Sequence, residues 1–109
     1  MSNDPQLVFQ ALADPTRRRL VERLAEGDTK TASELAQEFP ISRQGLLKHL
    51  QILVDAQLID SRQVGRERRY FLNPTPLNTT LDWIQTINQQ WDARLQRLRD
   101  YLMADEDID

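Results

Sequence analysis

The sequence contains no cysteine, which excludes disulfides, thiolate metal sites and cysteine nucleophiles. It has one histidine, His49, and zinc takes about four ligands, so no imidazole cluster can form within one chain. Glycine is scarce: Gly27, Gly45 and Gly65 stand isolated, which excludes a glycine-rich phosphate loop. No apolar run approaches the ~20 residues of a membrane span. Residues 1–15 lack the basic start and apolar stretch of a secretory signal, so the cytoplasm is the expected setting and no membrane partner is expected. There is no nucleophile–base constellation and no metal-binding carboxylate motif. Asp105, Glu106 and Asp107 are a terminal acid run rather than a paired acid and base. The sequence therefore predicts no enzyme, no cofactor and no metal.

What is present is one domain's worth of chain. It has 109 residues, 39% of them hydrophobic and 28% charged, with a net charge of -3. The sign conceals an asymmetry. Residues 40–72 carry Arg43, Lys48, Arg62, Arg66, Arg68 and Arg69 against Asp55, Asp60 and Glu67. That segment is basic within an acidic chain, which points to a localised anionic partner; a solvated charged face is the competing reading.

Punctuation and periodicity predict four helices, a hairpin and a fifth helix. Asp4-Pro5 reads as a cap and first helical position, with Leu7, Val8, Ala11 and Leu12 behind it. Asp14-Pro15 repeats the signal, and Leu20, Val21 and Leu24 lead to a stop at Gly27. Thr31 and Glu34 have capping-box spacing before Leu35, Ala36 and Phe39. Ser42 caps a fourth helix whose apolar side is expected from Leu46, Leu47, Leu50, Ile52 and Leu53. Residues 59–64 and 67–72 are strand-like, with Gly65-Arg66 at hairpin-turn spacing. Asn73-Pro74-Thr75-Pro76 reads as a break. A long helix is then expected from about Leu77 or Thr80 to about Met103. Its Leu81, Ile84, Ile87, Trp91, Leu95, Leu98 and Leu102 draw one stripe over roughly three heptads. Residues 1–104 form the expected domain, and 105–109 a frayed acidic tail.

Two capped helices around a tight turn make a helix-turn-helix, and a basic hairpin behind it makes the winged form. The fold class is thus mainly α with a small β-hairpin: five helices and a two-stranded wing. A helix fits the major groove of duplex DNA, and side chains near its N-terminus reach base edges. Arg43, Gln44, Leu47 and Lys48 project away from the Leu46/Leu50/Leu53 face, with Ser42 at the helix start facing phosphate. Arg43 suits guanine and Gln44 suits adenine. Gly45 either permits close backbone approach or simply weakens the helix. Arg62, Arg66 and Arg68 of the wing suit phosphates or the minor groove, Arg66 at the tip above all. Arg68 and Arg69 face opposite sides of their strand, so at most one shares the tip's surface. The competing reading of the wing is an edge hairpin guarded by charge. Arg17, Arg18 and Arg19 follow a cap, where the helix dipole disfavours them; they are expected either to pair with acids or to touch phosphate. Trp83, Trp91 and Tyr101 read as interface core or as a ligand-pocket lining.

The sequence resembles the ArsR-type winged-helix transcriptional repressors. The resemblance lies in residues 9–20 with their Ala13-Asp14-Pro15-Thr16-Arg17-Arg18 block, Ser33 to Ala36, Ser42 to Leu53 with Lys48-His49-Leu50, Leu58-Ile59, and Gly65 to Leu72. The last helix is similar to a metal-independent branch. The resemblance implies a homodimer that binds a double-stranded operator near its own promoter and represses it. It places the dimer interface on the first and last helices: Leu7, Val8 and Ala11, with Leu81, Ile84, Ile87, Trp91, Leu95, Leu98 and Leu102. It implies a structural, hydrogen-bonded His49. Two positions depart from the pattern. Leu47 stands where a small polar residue usually touches DNA, which either removes that contact or replaces it with an apolar contact to a thymine methyl. Gln57 stands where glycine usually makes the turn, which demands a strained or altered turn. These departures keep open a winged-helix interaction module that has lost DNA binding. No effector is identifiable.

Overall fold

The structure, a computed structural model, describes residues 5–106. Its elements are α1 (Pro5–Leu12), α2 (Pro15–Leu24), β1 (Lys30–Thr31), α3 (Ala32–Glu38), α4 (Arg43–Asp55), β2 (Ile59–Val64), β3 (Glu67–Leu72) and α5 (Thr75–Glu106). The expected cap at Asp4 and the last three residues of the tail lie outside the described residues. Contacts divide the chain into two units, one through Thr79 and one from Thr80 onward. Among the described residues, no helix is long and apolar enough to cross a membrane.

The first unit is organised by caps that the sequence encodes locally. Asp14 takes extended backbone angles and its carboxylate accepts the Arg17 amide at 3.1 Å, starting α2 with Pro15 in the first turn. Thr31 Oγ1 accepts the Glu34 amide at 3.1 Å while Glu34 accepts the Thr31 amide at 2.8 Å, closing the capping box of α3. Ser42 Oγ accepts the Gly45 amide at 3.0 Å and starts α4. Behind these caps, Leu20, Leu24, Leu35, Leu46, Leu50 and Leu53 are fully buried in one core with Val8, Leu58 and Ile59. Leu46, Leu50 and Leu53 recur at helical spacing on one face of α4. Ile52, expected on that side, is 41% exposed on the other; Leu47, counted with that side but also expected to project away from it, is 39% exposed. The 100° advance per residue turns Leu47 away from its neighbour Leu46.

The sheet has three antiparallel strands in the order β1-β3-β2, not the expected two. Lys30 pairs with Tyr70 and Thr31 with Arg69. A two-residue strand carries no alternation to read, and only the tertiary fold brings β1 beside the hairpin. The wing turn has Gly65 at φ 63°, the positive angle that the first position of a tight hairpin turn requires.

At the end of α4, the Gln57 amide donates to Val54 O and the Leu58 amide to Leu53 O, the two bonds of a Schellman cap. The motif needs a left-handed residue, and Gln57 supplies it at φ 62°. The strained turn expected from a missing glycine is therefore present, at a cost on the order of 1–2 kcal/mol. Asn73 Nδ2 donates to Gln57 O at 3.0 Å and helps hold it.

Helix α5 begins at Thr75, earlier than expected, and Pro76 lies within it. Proline in a first turn forfeits only an amide that has no partner in any case. Asn73 Oδ1 accepts the Thr75 amide at 3.3 Å. The helix runs through Glu106, beyond the expected end at Met103.

Two caps titrate. The Arg17 amide bonded to Asp14, and the Thr31 amide bonded to Glu34, hold both carboxyls below the usual carboxylate range; the nearby His49 and Arg69 act in the same direction. A carboxyl depressed in the folded state contributes stability that is present above its unfolded pKa of about 4 and lost as pH falls through the folded value. The urea midpoint is expected to drop on acidification below about pH 4. Asp14→Asn with Glu34→Gln, which keep acceptors but not the charge, should flatten that decline; an unaltered decline would assign it to other groups.

Candidate nucleic-acid interface

The start of α3, the start of α4 and the wing enclose an open cleft of about 350 Å³. Arg43 and Leu47 of α4, Arg66 and Arg68 of the wing, and Thr31, Ala32 and Ser33 of the β1–α3 junction line it, with Glu67 and Tyr70. Four sequence-predicted residues thus share one concavity. Ser42, Gln44 and Lys48 are exposed along the same helix, Gln44 and Lys48 one turn apart on the adjacent stripe. The remaining one, Arg62, does not reach the cleft. Strand alternation sends Arg68 to the face of Tyr70 and Leu72, and sends Arg62 and its cross-strand partner Arg69 to the other. There the Arg62 guanidinium lies 5.7 Å from the centre of the Phe71 ring.

The cleft is cationic because its one acidic wall residue is neutralised from behind. Arg69 Nη1 donates to Glu67 at 2.9 Å. The same guanidinium donates to Thr29 Oγ1 at 2.8 Å, Thr29 O at 3.0 Å and Glu34 at 3.3 Å. Arg69 therefore ties the wing to the capping box of α3, while Arg68 donates to Ser61 Oγ at 2.9 Å and stays exposed. The two arginines do face opposite sides, as alternation requires, and their tasks differ accordingly.

The back of α4 is pinned through His49. His49 Nδ1 lies 3.3 Å from Arg17 Nη1 and 3.9 Å from Asp14 Oδ2. Arg17 also donates to Ala11 O at 2.6 Å and Gln10 O at 3.2 Å, and Arg18 donates to Leu12 O at 2.6 Å. These are carbonyls at the C-terminal end of α1, which lack intrahelical partners. Arg17 and Arg18 thus cap the preceding helix, a role that neither expected reading covers. The only sequence signal for it is the closeness of the arginines to a helix end three residues before Pro15. Gly45 is helical, and a Cβ there would stand 3.3 Å from Ser42 Oγ, so its smallness leaves room for the cap hydroxyl.

Of the expected interface residues, Val8 and Ala11 are only 1% exposed and belong to the core of the chain itself. Leu7 is exposed on α1. Along α5, Leu81, Ile84, Ile87, Trp91, Leu98 and Leu102 are uncovered, from 39% exposed at Ile84 to 57% at Trp91, and Leu95 is half-buried. Among the described residues, no group of three or more His, Asp or Glu side chains is placed to hold a metal ion.

Residues 12–62 match the helix-turn-helix domain family. The HTH-type transcriptional regulator Rv2034 of Mycobacterium tuberculosis is 46% identical over 81 residues, 72% of this chain and 75% of its own length. The transcriptional repressor SdpR of Bacillus subtilis is 39% identical over 77 residues, 71% of this chain and 84% of its own. Among solved structures, an ArsR-like transcriptional regulator from Rhodococcus sp. RHA1 superposes with a TM-score of 0.82 at 36% identity, covering 91% of this chain and 90% of that one.

Proposed function

Because this chain belongs to the ArsR-type helix-turn-helix transcriptional regulators and is a DNA-binding regulator of transcription, we propose that it acts as a homodimeric repressor on a two-fold operator at its own or a neighbouring promoter. The observation that carries this reading is the convergence of Arg43, Leu47, Arg66 and Arg68 on one cleft beside the exposed start of α4. A duplex seated there places the α4 N-terminus in the major groove, where Arg43 meets guanine and Gln44 adenine, while the free amides at the helix start meet phosphate. Lys48, Arg66 and Arg68 hold the backbone and fix the register without reading sequence. Occupied this way, a promoter is closed to transcription by exclusion.

The dimer rests on α5. An apolar stripe from Leu81 to Leu102 that stays open to water is the kind of surface that marks an interaction site. Two copies of the stripe, packed about a two-fold axis, cover each other. Leu7 of α1 is the further exposed apolar residue assigned to that interface. Reading two half-sites requires the α4 helices of such a pair to stand one duplex turn apart, about 34–36 Å.

Selection of bound fragments from a random duplex pool by the purified protein tests both parts. The expected result is an inverted-repeat consensus whose half-sites lie about 10 base pairs apart, bound by a particle of twice the chain mass. Retention of no duplex, an asymmetric consensus or a single-chain mass overturns the proposal.

A further inference from the structure

Leu47 is the one large apolar side chain in an otherwise polar and cationic cleft, apart from the Tyr70 ring. It is 39% exposed, whereas its neighbours Leu46 and Leu50 are buried. It lies one helical turn after Arg43 and lines the same cleft, so an α4 seated in the major groove brings it to base edges together with Arg43. It can neither donate nor accept a hydrogen bond. The major-groove edge of a base pair offers acceptors, amino donors and a single apolar group, the 5-methyl of thymine. A leucine pressed on that edge gains only against the methyl. Against guanine or cytosine it strips water from groups it cannot bond, which costs rather than contributes.

We propose that Leu47 is a specificity-determining residue that reads the 5-methyl group of one thymine in each half-site and rejects G·C pairs there. This rests on α4 entering the major groove, and it adds an apolar contact to the polar readout by Arg43 and Gln44. Burying one methyl is worth about fourfold in affinity, so two symmetric half-sites give about fifteenfold.

The test uses the selected operator with thymines replaced, one symmetric pair at a time, by deoxyuridine, which lacks only the methyl. For the unmodified protein, one position is expected to lower affinity about fifteenfold. For Leu47→Ala, the operator itself binds more weakly by at least that factor, and the same deoxyuridine replacement changes nothing further. Because Leu47 is exposed, the variant keeps its fold, which an unchanged urea midpoint verifies. Tight operator binding that is indifferent to every deoxyuridine replacement overturns the Leu47 assignment and leaves the repressor reading intact. A methyl effect of equal size in Leu47→Ala also overturns it, by assigning the methyl to another side chain. Failure to bind any operator strikes the repressor reading instead.

Discussion

Raising salt from 50 to 200 mM is expected to lower affinity for the operator by at least about a thousandfold. The chain is net acidic, so this sensitivity must come from the local cations and not from overall charge. Lys48, Arg66 and Arg68 are exposed and adjacent to the reading helix, and Arg43 lines the cleft with the wing pair. Arg69 does not add to them, because Glu34 and Glu67 already hold it. Three phosphate contacts per subunit give about six in a pair, and the log–log slope is about 0.9 per contact. Arg66→Ala removes one contact per subunit, so the slope should become shallower by about 2 while base preference stays unchanged. Fluorescence anisotropy titrations at several salt concentrations read both quantities. A flat salt dependence would mean that phosphates are not engaged, and would favour a winged-helix module that docks on protein.

The second large effect separates two adjacent leucines. Leu46→Ala is expected to cost about 3 kcal/mol of stability, within the ~2–5 kcal/mol range of buried leucine truncations. Leu46 is fully buried in the core, and the structure around such a truncation closes only part of the vacated space. A domain of this size has only about 5–15 kcal/mol in hand, so the variant would sit near the edge of folding. In urea the midpoint should fall by about 1 M or more. Leu47→Ala, one residue on, should stay within about 0.5 kcal/mol of the unmodified protein, as exposed substitutions do. Equal losses at the two positions would mean that α4 is rotated from the orientation described.

Much of this arrangement was legible because it is written in short-range chemistry. The caps at Asp14, Thr31 and Ser42 each require one oxygen and an amide three residues on, a spacing visible in sequence. The hairpin around Gly65 follows from two strand-like runs and one residue suited to positive φ. The buried spacing of Leu46, Leu50 and Leu53 follows from helical periodicity, although the same run of apolar residues drew Ile52 onto the wrong side and left Leu47 counted on both. What was not legible depends on residues far apart in the chain. Arg69 meets Thr29 and Glu34 only after the hairpin folds back over α3. Strand β1 exists only because β3 arrives beside Lys30 and Thr31. Arg17 and Arg18 find the end of α1 because the chain reverses at Ala13 and Asp14. The cleft itself needs all of these, so the sequence named Arg43, Leu47, Arg66 and Arg68 without showing that they meet, and it grouped Arg62 with residues on the opposite face.

Thr31 belongs to β1 through its backbone and caps α3 through its side chain. That double duty narrows what selection can tolerate there. Serine keeps the oxygen but gives up the branched Cβ that suits a pleated strand; valine keeps the branch and orphans the Glu34 amide. Threonine alone meets both demands, so drift at this one site would disturb the ribbon and the reading half of the molecule together.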